Sequence, residues 1–133
     1  FFEAIARVYR ENSSVRDAME GERNLQGFLK AYLALASYYL MEPELEMNYG
    51  YCDFFLLPDK QRYPDIKHSY ILELKYAART ATDAELDAQA EEGRRQLLQY
   101  SEDKVARRLA EGTTLHRLLL QFRGWDMVKC EEI

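Results

Sequence analysis

Apolar residues recur along this chain at two different spacings, and the changes of spacing mark its elements. Ile5, Val8 and Tyr9 repeat at helical intervals, predicting a short amphipathic helix over residues 1–9 that stops before Glu11-Asn12. Ser13 or Ser14 then offers an N-cap for a second helical stretch. From about Asn24 a longer pattern begins, in which Leu25, Phe28, Leu29, Tyr32, Leu33, Leu35, Ala36 and Tyr39 recur at helical spacing. The apolar face is wide, which predicts a helix buried against a sheet, with Pro43 ending it.

The spacing then shifts to two. Leu45, Met47 and Tyr49 alternate with Glu46 and Asn48, predicting a strand over residues 45–49, and Gly50 breaks it. Residues 51–57 follow as a mostly apolar second strand. Residues 58–65 are a polar turn region in which Asp59 and Asp65 read as turn formers. Residues 69–76 form the third strand, whose apolar density predicts burial on both faces. Glu73 and Lys75 are its charged residues, and they demand an explanation.

A long helix is expected from Thr82, with Thr82 or Asp83 as cap and acidic residues in its first turns, where the helix dipole favours them. Its stripe runs Leu86, Ala90, Gly93, Leu97, Tyr100 and Lys104, with Lys104, Arg107 and Arg108 gathered toward its end and Gly112 as its stop. Residues 114–122 read as a fourth strand, Arg123-Gly124 as a turn, and residues 125–133 as a fifth strand. A helix, three strands, a long helix and further strands predict an α+β domain, a three-layer α/β/α sandwich with a small mixed sheet flanked by helices.

A chain of 133 residues can bury a core as one domain, and 47% hydrophobic with 31% charged residues excludes a disordered chain. The net charge of −5 argues against a surface that coats nucleic acid broadly, but not against a compact site where a metal ion offsets clustered carboxylates. Cys52 and Cys130 lie far apart with no CxxC spacing, which suits buried free thiols in a reducing, cytoplasmic setting rather than a zinc site. No apolar run has the length of a membrane span and no signal-peptide pattern is present. The chain starts Phe1-Phe2, and we read it as a piece of a longer protein.

Three features carry chemistry. Gly50-Tyr51-Cys52-Asp53 sets a carboxylate near the start of the second strand. Glu73-Leu74-Lys75 sets a carboxylate and an ammonium on one face of the third, because residues two apart in a strand point the same way. Gln96 and Tyr100 stand one turn apart on the following helix. A hard cation such as Mg²⁺ takes one or two carboxylates plus water and phosphate oxygens, and Asp53 and Glu73 on neighbouring strands supply that pair. Lys75 could orient a water and offset charge on an attacked phosphate, whereas a role as base would require a strongly lowered pKa. Gln96 and Tyr100 would brace the site; Tyr100 also lies on the core stripe. Asp53 precedes Phe54-Phe55-Leu56-Leu57, an unusual place for an aspartate in a strand. Arg94, Arg95, Arg107 and Arg108 read as a solvated helix face or as phosphate contacts. His68 and His116 lack metal-ligand spacing and stay outside the site.

Taken together, Gly50-x-x-Asp53, Glu73-Leu74-Lys75 and Gln96-x-x-x-Tyr100 resemble the motif series of the PD-(D/E)XK nucleases, especially the RecB-like branch. The run from Asn24-Leu25-Gln26-Gly27-Phe28-Leu29 through Gly50-Tyr51-Cys52-Asp53-Phe54 to Ile71-Leu72-Glu73-Leu74-Lys75-Tyr76 resembles the module at the C-terminus of AAA-ATPase-like bacterial proteins. The resemblance spans the chain from about Asn24 onward. It implies a restriction-endonuclease-like αβββαβ core over residues 24–133, with residues 1–23 a helical segment joining it to an upstream ATPase-like region. It implies DNA as the partner, Mg²⁺ or Mn²⁺ as the ion, and catalytic roles for Asp53, Glu73, Lys75, Gln96 and Tyr100. In many members a first-helix acid assists the metal; Glu22 fits best here, Glu20 next. Cys52 stands where the family's name has proline, a departure common in the RecB-like branch.

Overall fold

A computed structural model describes residues 2–11, 22–33, 39–47 and 50–133, with most of their side chains. The elements run α1 (Phe2–Glu11), α2 (Glu22–Leu33), β1 (Tyr39–Met47), β2 (Gly50–Pro58), β3 (His68–Ala77), α3 (Asp83–Ser101), α4 (Lys104–Leu109), β4 (Thr114–Arg123) and β5 (Asp126–Glu132). The five strands make one mixed sheet in sequence order. Every neighbouring pair is antiparallel except β3 and β4, which are parallel from His68↔Thr114 to Ala77↔Arg123. A parallel pair needs a long crossover, and α3 with α4 supplies it. The expected α+β architecture, a mixed sheet with helices, is the one observed.

Side-chain alternation sorts the core into two layers. On one face Leu25, Leu29 and Leu33 of α2 pack with Phe54, Leu56, Leu72, Leu74, Leu118, Leu120 and Phe122. On the other, Ala90, Leu97 and Tyr100 of α3 and Ala106 of α4 pack with Phe55, Ile71 and Leu119. β3 is thus covered on both faces, and residues 71–74 are all buried. The helix α1 packs against β5 and α2. No helix among the described residues is long and apolar enough to cross a membrane.

Two boundaries and one burial differ from the expectation. Tyr39 opens β1 rather than continuing the helix, and Pro43 sits inside that strand opposite Phe54. Periodicity alone could not separate the two readings, and an edge strand tolerates a residue without an N–H. β1 accordingly starts earlier than residue 45; Asn48 and Tyr49 lie outside the described residues, as do Ser13 and Ser14. The long helix also ends at Ser101. Asp103 caps a separate short helix by accepting from Val105 N–H at 2.8 Å, so Lys104, Arg107 and Arg108 belong to α4. The third correction is Cys130, which is exposed on β5 rather than buried; the Cys52 side chain lies outside the described residues.

At its start α3 is fixed by a capping box, Thr82 accepting from Glu85 N–H and Glu85 accepting from Thr82 N–H. Its buried stripe is Leu86, Ala90, Gly93, Leu97 and Tyr100. Arg94, on the same helix, donates to both oxygens of Glu131 on β5 (2.7 and 3.2 Å are the extremes) and also meets Glu91. The hydrogen bond from Arg94 holds the Glu131 carboxyl below its ordinary range. A depressed carboxylate stabilises the fold above its unfolded pKa, and the contribution disappears as pH falls through the folded value. Arg94→Ala is therefore expected to lower the melting temperature at neutral pH by at most about 4 °C, as suits a partly exposed pair. Thermal melts in acid below the folded value should show no difference between variant and parent.

Candidate metal centre

The candidate residues lie where β2 and β3 part. Their ladder pairs Leu56 with Tyr70, Phe55 with Ile71 and Phe54 with Leu72. The next β3 donor, Leu74 N–H, is taken by the Asp53 side chain, with Oδ2 at 2.7 Å. An ionised carboxylate has about four acceptor sites, and this bond to one oxygen helps to orient the group. Extending the register by one position sets Asp53 across from Glu73. Phe55 and Ile71 belong to the α3 side of the sheet, so alternation points Asp53, Glu73 and Lys75 to that same side.

Glu73 is 4% exposed within an otherwise apolar strand. Lys75 lies beside it, Nζ 3.2 Å from Glu73 Oε1, and also donates to Gln96 Oε1 at 2.6 Å. The ammonium is therefore held between a carboxylate and a neutral acceptor. Burial would be costly for either charge alone; together, with further hydrogen bonds, they form a pair whose disruption typically costs about 3–5 kcal/mol.

Sequence reasoning had named Gly93 as a core position without seeing its reason. A Cβ there would stand 2.6 Å from Leu119 Cδ1 and 3.4 Å from Lys75 Cε. The missing side chain lets α3 lie on the stem of Lys75, which brings Gln96, one turn on, to the ammonium. Two residues were missed entirely. Gln121 is Lys75's register partner on β4 and is 1% exposed. Its amide donates to Leu86 O at 2.8 Å and to Gln89 Oε1 at 2.9 Å, and Gln89 donates to Tyr76 O at 2.8 Å. These amides tie α3 to both parallel strands beside Lys75. The available signal was a lone glutamine in Leu118-Leu119-Leu120-Gln121-Phe122, since a buried polar group needs partners.

Asp53, Glu73, Lys75 and Gln96 are thus brought together. Tyr100 follows one turn later, 4% exposed and packed with Phe55 and Ile71. Glu22 opens α2, and its side chain lies outside the described residues, as does Glu20. No cluster of three His, Cys, Asp or Glu side chains suited to a metal occurs among the described residues. A pair of oxygen donors still fits a hard cation that keeps several waters, and it does not fit a soft one.

No curated protein matches the chain, and no solved structure matches it. A model of the PD-(D/E)XK nuclease superfamily matches residues 20–132, which takes in all five strands and the three helices α2 to α4. With that match, the chain belongs to the PD-(D/E)XK nuclease superfamily.

Proposed function

We propose that this domain is a metal-dependent nuclease that hydrolyses phosphodiester bonds of DNA. The observation that carries the reading is the convergence of Asp53, Glu73 and Lys75 on one face where β2 and β3 part, with Gln96 bonded to the lysine. Members of the superfamily use a divalent metal ion, and we assign Mg²⁺ or Mn²⁺ to the Asp53 and Glu73 carboxylates, with Glu22 as a further ligand. The bound ion would polarise the phosphate and make its water a better nucleophile.

The protein's own groups do the rest. Asp53, oriented by Leu74 N–H, and Glu73, oriented by Lys75, present their oxygens from a rigid sheet. Lys75 places positive charge where the attacked phosphate accumulates negative charge, and its ammonium donates to the attacking water. Gln96 fixes the ammonium's direction, and Tyr100 supports the helix turn that carries Gln96. Within the superfamily we place the domain in the RecB-like branch. We also propose that residues 24–133 form the nuclease unit of a longer bacterial, cytoplasmic protein, with residues 1–23 leading to an ATPase-like region.

Cleavage of single- and double-stranded DNA with Mg²⁺ or Mn²⁺ tests the reading. The parent should cut only with metal, and Lys75→Ala should lose about 100-fold or more in rate, the scale of removing a preorganised transition-state donor. Equal cutting by both would remove Lys75 from the mechanism, and metal-dependent DNA binding without cutting would indicate a silent nuclease-fold module. Mn²⁺ should also raise the melting temperature of the parent, as any ligand of the folded state does, and Asp53→Asn should abolish that rise. Gly93→Val should destabilise the fold by about 1–3 kcal/mol through overpacking and reduce cutting by displacing Lys75. Unchanged stability and rate in that variant would mean that α3 does not rest on the lysine.

A further inference from the structure

The chain has two histidines, and the parallel register brings them together from 48 positions apart. Tyr70 pairs with His116 and His68 with Thr114, so both imidazoles stand at the N-terminal end of the parallel pair. They share the α2 side of the sheet with Leu72 and Leu118, opposite the side that carries Lys75. His68 Nδ1 lies 2.8 Å from His116 Nε2, and His116 Nδ1 lies 2.6 Å from Glu132 Oε1. Tyr70 stacks on the His116 ring with centroids 5.0 Å apart, and Tyr39 meets Tyr70 edge-on at 5.7 Å. The inner imidazole is therefore held by stacking on its face and by a carboxylate at its far nitrogen.

The carboxylate decides the tautomer. An ionised Glu132 can only accept, so His116 Nδ1 carries the proton and, in the neutral ring, Nε2 turns a lone pair toward His68. His68 is exposed and can move its own proton from Nδ1 to Nε2, where solvent receives it as a donor. Two lone pairs then face one point. The carboxylate–histidine arrangement is also the one that orients imidazole ligands and raises their basicity in metal sites. Imidazole nitrogen selects borderline ions such as Zn²⁺, Ni²⁺ or Cu²⁺ over Mg²⁺. Bonds of about 2.0–2.1 Å at a tetrahedral angle need the two nitrogens roughly 3.3 Å apart, a separation that a small rotation of the exposed His68 ring provides.

We propose that His68 Nδ1 and His116 Nε2 form a second metal site, for a borderline divalent ion such as Zn²⁺, with Glu132 as the outer carboxylate that orients His116. No third His, Cys, Asp or Glu completes a cluster among the described residues, so water fills the other positions and the ion exchanges with solvent. The site is chemically distinct from the carboxylate pair of Asp53 and Glu73 and does not depend on the nuclease reading.

Calorimetric titration of the whole chain with Zn²⁺ at neutral pH tests it. The expected result is one bound ion, lost in His68→Ala and in His116→Gln, and weakened about 10–100-fold in Glu132→Gln, the usual effect of removing an outer partner. Excess Mg²⁺ should not displace it. His68 is exposed, and a melt of His68→Ala without metal confirms that the variant folds. Zinc binding of equal affinity in His68→Ala would overturn the proposal and move the ion to other donors, and absence of zinc binding by the parent would overturn it outright.

Discussion

A carboxylate and an ammonium inside an apolar sheet are tolerable only when each has a partner held in place, and the rest of this fold is arranged around that requirement. Glu73 is nearly fully buried and Lys75 lies two residues on, so the two share one face of β3. Neither Leu72 nor Leu74 can help them, because those side chains pack on the opposite face with α2. Compensation has to come from the neighbouring strands and from the helix lying over the pair. α3 brings Gln96 to the ammonium, while Gln121 of β4 ties α3 down beside Lys75 and Asp53 of β2 accepts from the Leu74 N–H between the two charges.

How close α3 can lie is therefore what sets the geometry of the site. The helix is anchored at its start by Gln89 and Gln121, rests on Lys75 through Gly93, reaches the ammonium with Gln96, and is tied to β5 by Arg94 and Glu131. These contacts fall on successive turns, so one rigid element fixes the height of the lysine above the sheet. On the other side of the site, Asp53 replaces a backbone ladder acceptor with its carboxylate at the point where β2 leaves β3. The opening between two strands and the orientation of the candidate ligand thus come from the same hydrogen bond.

Much of this was legible in the sequence. The polar residues Asp53, Glu73 and Lys75 stand out because they interrupt apolar strands, and the two-residue period already put Glu73 and Lys75 on one side. Gln96 was legible from its one-turn spacing to Tyr100 and from the resemblance, but a glutamine on a helix carries little signal of its own. Gln121 and Gln89 were not legible, because their meaning depends on which face of β4 meets α3, a long-range fact. Pro43 misled for a local reason: proline ends helices, yet an edge strand also accepts it, and the register that makes β1 an edge is absent from the local pattern. The break at Asp103 was hidden because basic residues near a presumed helix end agreed with the dipole of one long helix as well as with that of two. The histidine pair shows the same limit, since spacing along the chain says nothing about residues joined by a parallel crossover.

The central claim is that Asp53 and Glu73 are ligands of one hard cation beside Lys75. Anomalous scattering from a crystal grown with Mn²⁺ tests it most directly, because the ion is located without any need for activity. The account predicts a peak within coordination distance of both carboxylates, on the α3 side of β3. A peak elsewhere, with none between these two side chains at saturating Mn²⁺, would contradict it.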